Sequence, residues 1–246
     1  MPAHSIDLRG RNALVTGAGA GHGRAIALAL AAQGASVAVS DINIERAERT
    51  CDEIHALGGT AIALQADISN RFQTANMIEM ARDAFGKIHL LANATAISHP
   101  EAMLSIDEWN WRRQLEINIT GIFFCMQLLG RVMADEGGGV MINLASVDGL
   151  GAKRPHGIGY MASQAAVIAM TQQAARELAS HRIRVNAIVT GCNSPNAVAA
   201  SNPSGAPRLG TSSVGNITET ALFLSSNAAQ EMTGQVLVAD RDDSAE

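Results

Sequence analysis

The stretch NALVTGAGAGHGRAI, residues 12–26, decides the fold. Its first five residues form a short apolar run, the pattern of a buried strand. Gly17, Gly19, Gly21 and Gly23 follow at alternate positions, and an Ala- and Leu-rich helical pattern continues over 23–33. A strand that breaks through glycines into a helix brings backbone N–H groups and a helix N-terminus to one place. Such a place suits a pyrophosphate, because glycine admits close approach and the helix end favours negative charge. The four glycines and His22 among them are therefore candidate cofactor-binding residues. Taken alone, the run also fits a flexible turn.

Working outward, strands are expected over 36–40, 60–66, 88–93, 140–145, 184–189 and 235–238. Helices are expected over 44–57, 71–85, 106–134, 160–180 and 214–224. Gly34, Gly58, Gly59 and the glycines of 137–139 stand where those helices should end. Strands that alternate with helices form βαβ units with right-handed crossovers. The expected fold is α/β: a Rossmann-type, doubly wound parallel sheet with helices on both faces. One domain over 1–246 accommodates it. Residues 191–213, rich in Ser, Asn, Pro and Gly, read as a loop at the carboxyl ends of the strands, either a substrate cover or an exposed connector.

Composition excludes several classes. The chain has 246 residues, 47% apolar and 17% charged, so it folds rather than staying disordered. Only 3% are aromatic, which leaves Ala, Leu, Ile and Val to fill the core. A net charge of −5 argues against nucleic acid as a partner. Cys51, Cys125 and Cys192 are too widely spaced for a zinc site and odd in number, which fits a reducing cytoplasm. The histidines show no metal-binding spacing, so no metal is expected. The apolar run over 25–32 is far short of the ~20 residues of a membrane span.

Two acids and two hydroxyls carry the chemistry. Asp41 ends the second strand, where a carboxylate accepts hydrogen bonds from a ribose diol and repels a 2′-phosphate, which favours NAD over NADP. A helix cap is its competing role. Asp67, with Ile68 beside it, ends the third strand; it suits an adenine contact or a turn. Tyr160 is the only tyrosine in the chain, and Ser146 ends an apolar run before it. A phenol near a hydroxyl suggests proton transfer to or from a substrate oxygen.

Together these residues resemble the short-chain dehydrogenase/reductase family over almost the whole chain. Thr16, Gly17, Gly21 and Gly23 match its TGxxxGxG loop, and Asp67 its adenine-binding acid. Asn93 and Ala94 match the middle of its NNAG strand end. Asn118 matches its long-helix asparagine, and Ser146 and Tyr160 its catalytic pair, with one extra residue between them. The resemblance implies a sheet of about seven strands, and hydride transfer between a nicotinamide and a carbonyl or alcohol substrate. It further implies that Ser146 bonds the substrate oxygen, Tyr160 exchanges its proton and Asn118 supports a water relay. Relatives associate through their long helices, so a homodimer or homotetramer is implied.

The departures concern the other half of the site. Gln164 stands where the YxxxK motif has lysine. It shares a helix face with Tyr160 and keeps a hydrogen bond for the nicotinamide ribose, but it carries no charge. A free tyrosine titrates near ~10, and a cation within ~4–6 Å lowers that by ~1–3 units. Without the cation the reactive base falls roughly 10- to 1000-fold, while the neutral phenol needed for reduction remains. Surviving activity is expected to favour reduction. Ala92 and Thr95 replace the outer residues of NNAG. The stretch around Gly191, a candidate cofactor contact, departs from PGxIxT, and 239–242 departs from VDGG. Lys87 lies at the wrong end of the sheet to substitute; Lys153 and His156 lie in the loop before Tyr160. The competing expectation is a non-catalytic relative that binds a dinucleotide or a protein partner. An enzyme of another class on the same scaffold is the third.

Overall fold

A computed structural model describes residues 6–151, 156–191 and 214–239. Seven strands form one parallel sheet in the order β3-β2-β1-β4-β5-β6-β7. They are β1 (Asn12–Thr16), β2 (Ser36–Asp41), β3 (Thr60–Gln65), β4 (Leu90–Asn93), β5 (Gly139–Ser146), β6 (Ile183–Thr190) and β7 (Val236–Val238). The helices are α1 (Gly21–Ala32), α2 (Ile44–Ala56), α3 (Arg71–Phe85), α4 (Glu108–Leu115), α5 (Ile122–Asp135), α6 (Ile158–Leu178) and α7 (Val214–Ser225).

The period-two alternation of strand side chains divides the core in two. Val15, Val37, Val39, Ala92, Ile142 and Ile188 point to one face, where Ile26 and Leu30 of α1, Ile54 of α2 and Leu224 of α7 cover them. Leu14, Ala38, Leu91, Met141, Val185 and Val189 point to the other, under Ile78 of α3, Leu129 of α5 and Val167 of α6. Both faces are buried, which is why these strands read as continuous apolar runs.

Several bounds differ from expectation, α6 among them, which begins at Ile158 and ends at Leu178 where 160–180 is expected. Helix α1 begins at Gly21, two residues early, because Ala20 is extended and serves as its N-cap. The long helix is not uniform: a π-helical turn, Glu116–Gly121, joins α4 to α5 and contains Asn118. By length and composition the continuous segment Glu108–Asp135 is apolar enough to cross a membrane. Its Ile122, Cys125, Met126, Leu129 and Met133 are buried in the fold, which identifies it as a core helix.

Connections from β1 run outward to β2, and those from β4 run the other way to β5. The loops after β1 and β4 therefore part at the carboxyl ends of the strands and leave a crevice there.

Candidate active site

A cavity of about 450 Å³ opens at that crevice. The candidates Gly17, Gly21, His22, Asp41, Asp67, Ile68 and Ala94 line it, together with Ala20, Ser40, Arg46, Thr95, Ile97 and Ile117; Gly19, Gly23, Asn93, Gln164 and Gly191 are not among its lining residues. Of the added lining residues, the sequence marks Thr95 but misses Arg46, Ile97 and Ile117. Arg46 lies one turn into α2, and Ile97 lies in a loop without a motif. A smaller cavity of about 230 Å³, beside Arg176 and Gly234, contains none of the candidate residues.

The glycine loop is shaped by close approach. Gly17 has φ 63°, and a Cβ on it would lie 2.9 Å from Thr95 Oγ1. A Cβ on Gly23 would lie 2.3 Å from the Gly17 carbonyl oxygen, so no larger residue fits. No side chain caps helix α1. Burial holds the His22 imidazole below its usual pKa, favouring the neutral form.

Asp41 is not the helix cap. Asn43 caps α2 by accepting from the Arg46 N–H. The Asp41 carboxylate instead accepts from the Gly19 N–H at 3.0 Å and the Asn43 N–H at 3.0 Å, tying the glycine loop to the start of α2. Asp67 is similarly engaged. One oxygen accepts from the N–H and hydroxyl of Ser69, the other from Arg113 at 2.8 Å. Burial opposes its ionisation, but the bonds from Ser69 and Arg113 outweigh burial and hold its pKa below the ordinary carboxylate range. The carboxylate thus performs the turn role, and its lone pairs are largely committed before any adenine arrives.

The Asn93 side chain does not reach the cavity. It is fully buried and donates to Asn143 Oδ1 at 2.8 Å, while Asn143 donates to Thr171 at 2.9 Å. This chain links β4, β5 and α6 through the core; Ala94 is the member of the pair at the cavity.

Asn118 is the brace of the substrate side. Its Oδ1 accepts from the Ile97 N–H at 2.8 Å. Its Nδ2 donates to the Ile97 carbonyl at 2.8 Å and to Ser163 Oγ at 2.9 Å. Ser163 in turn donates to the Tyr160 carbonyl at 2.8 Å. The asparagine therefore couples the loop after β4 to the turn of α6 that carries Tyr160. The π turn allows this, since it rotates one residue out of the α register.

Ser146 ends β5 and Tyr160, half-buried, stands in the first turn of α6. Between them Gly149 is pressed onto α6: a Cβ there would lie 2.6 Å from the Gln164 backbone carbon. Gln164 is 2% exposed, and its Nε2 has no hydrogen-bond partner among the described residues. A buried amide donor left unpaired costs about 1–3 kcal/mol. Gly191 is buried at the end of β6.

Lys87 bonds the Glu136 carbonyl, away from the site, and His156 is exposed. Lys153, Cys192, residues 192–213 and 240–242 lie outside the described residues. Among the described residues no group of three metal-ligating side chains converges.

The profile of the short chain dehydrogenase family matches residues 11–204. A cyclohexanol dehydrogenase from an Acinetobacter strain is 36% identical over 73% of this chain and 71% of its own length. A short-chain dehydrogenase/reductase structure from Mycobacterium marinum superposes with a TM-score of 0.88 at 34% identity, covering 96% of this chain and 95% of that one. A 7α-hydroxysteroid dehydrogenase, solved with NADH and 7-oxo glycochenodeoxycholic acid, superposes with a TM-score of 0.86 at 31% identity, over 97% and 96% of the two chains.

Proposed function

The chain belongs to the short-chain dehydrogenase family, and on that premise we propose that it is an NAD(H)-linked oxidoreductase acting on a small carbonyl or alcohol. Its proton chemistry rests on a neutral phenol. The observation that carries this reading is the helix face of α6. Tyr160 stands one turn before a buried glutamine whose Nε2 has no partner among the described residues. The uncapped end of α1, the glycine loop and Asp41 fit the diphosphate and adenosine ribose of a dinucleotide, and the free Gln164 donor fits a ribose hydroxyl on the nicotinamide side. Asp41, kept close to the loop, disfavours a 2′-phosphate, so NAD is preferred to NADP.

When bound, the nicotinamide exchanges hydride with the substrate carbon. The residues of this chain position the substrate oxygen and handle its proton. Tyr160 donates to that oxygen as a neutral phenol, and Gln164 holds the cofactor ribose without charging the phenol. Asn118 keeps the loop around Ile97 and the Tyr160 turn in register. At neutral pH this site rests in the form that reduction requires. Oxidation requires the same phenol to lose its proton first.

The test is a fluorescence titration with NADH and with NADPH, followed by absorbance assays with secondary alcohols, headed by cyclohexanol, and their ketones. NADH binding with ketone reduction in wild type, and alcohol oxidation with NAD that is accelerated in Gln164→Lys, supports the proposal. A second reading, a dinucleotide-binding protein without turnover, is favoured by the same uncharged glutamine. It prevails if NADH binds and neither protein reduces any ketone. Failure of NADH to bind sinks both.

A further inference from the structure

The first turn after β5 contains an acid that the proposed mechanism does not use. Asp148 is 2% exposed, as is Ser146. Ser146 Oγ donates to Asp148 Oδ2 at 2.9 Å and accepts from the Asp148 N–H at 3.2 Å. Aspartate is rarely buried so fully without a specific role. The turn is held firmly: Gly149 packs against the α6 backbone at Gln164 and Ala165, and the Gly151 N–H bonds the Asp148 carbonyl at 3.1 Å.

We propose that Asp148 is a positioning residue that reverses the hydrogen-bond polarity of Ser146, withholding the serine proton from a carbonyl substrate. A hydroxyl has one proton to give. A carboxylate is a stronger acceptor than a ketone oxygen, because charge-assisted hydrogen bonds are about twice as strong as neutral ones. With its proton directed to Asp148 and one lone pair taken by the Asp148 N–H, Ser146 offers the substrate a single lone pair. Tyr160 is then the single donor of the pair to a carbonyl oxygen, and Ser146 becomes an acceptor that favours substrates or products bearing an O–H. The inference rests on the oxidoreductase reading for its substrate. It adds a second electrostatic feature to the uncharged Gln164: a negative group on the turn that abuts the tyrosine helix.

Asp148→Asn removes the charge and keeps the shape, and its amide can donate to Ser146 Oγ, releasing the serine proton for substrate. The variant should reduce ketones faster. Gaining one donor to a developing oxyanion predicts a rise in kcat/KM of about 10-fold or more, with NADH affinity and melting temperature unchanged. A purely structural role predicts the opposite sign. Asp148→Ala, which frees the same proton without a new donor, is the second variant and should also gain. Ketone reduction that is unchanged or lower in both variants, at unchanged melting temperature, overturns the proposal.

A readout without cofactor separates this from failure of the oxidoreductase reading. Tyr160 is the only tyrosine, so its ultraviolet titration in the apoprotein reports one group. Loss of the Asp148 charge should move that titration to lower pH. A downward shift with no turnover in any variant overturns the oxidoreductase reading and keeps the electrostatic role. An unmoved titration overturns that role.

Discussion

Replacing Asn118 with alanine separates bracing from chemistry. The side chain makes three hydrogen bonds, two to the Ile97 backbone and one to Ser163, at 2.8, 2.8 and 2.9 Å. Each contributes about 0.5–1.5 kcal/mol net, so their joint loss predicts a fall in unfolding free energy of about 1.5–4.5 kcal/mol. The upper part of that range is expected, because Asn118 and Ser163 are fully buried and water cannot replace the lost partner. Ile97 lines the cavity with Ala94 and Thr95, so loosening it should also weaken NADH binding. Urea unfolding followed by circular dichroism reads the first effect, provided the m-value is unchanged. Fluorescence titration with NADH reads the second. If Asn118→Ala unfolds within about 0.5 kcal/mol of wild type, a change ordinary for a surface site, and binds NADH as tightly, the asparagine is no brace.

Arg113→Met should destabilise the protein at neutral pH by about 1–3 kcal/mol, since it strips a charged donor from a carboxylate; the Asp67 and Arg113 side chains are only 24% and 26% exposed. The folded pKa of Asp67 lies below its unfolded value. Its contribution is therefore present above the unfolded pKa near ~3.9 and disappears as pH falls through the lower folded value. Stability curves of wild type and variant should converge in acid, and a constant gap across that range would contradict the assignment. Burial pushes the Cys125 thiol up to about 12 and the Cys51 thiol to about 11. Mass spectrometry after iodoacetamide at pH 8 should find both unmodified in the folded protein and modified in urea.

Much of the fold is legible because it is local. Strand β1 and helix α3 have the bounds that their residues predict, since apolar runs, Asn70 as a cap and Gly86 as a stop all lie within a few positions. The glycine loop is legible for the same reason. What the pattern does not mark depends on partners far along the chain. Arg113 reaches Asp67 across 46 residues, and Asn93 finds Asn143 across 50. No spacing rule announces either. The π turn at Asn118 is hidden because its apolar neighbours, Ile117 and Ile122, read as an ordinary helix. Asp148 is hidden because an acid two residues after a strand looks like a turn residue. Only its depth and its bond to Ser146 distinguish it.

The charge state of Tyr160 is the centre of the proposed chemistry, and a single tyrosine makes it directly measurable. Ultraviolet difference titration between pH 6 and 12 compares the titration midpoint of this phenol in wild type with that in Gln164→Lys. Gln164→Lys should lower it by ~1–3 units. A midpoint unmoved by Gln164→Lys would contradict the account, because the added charge would then not act on the phenol.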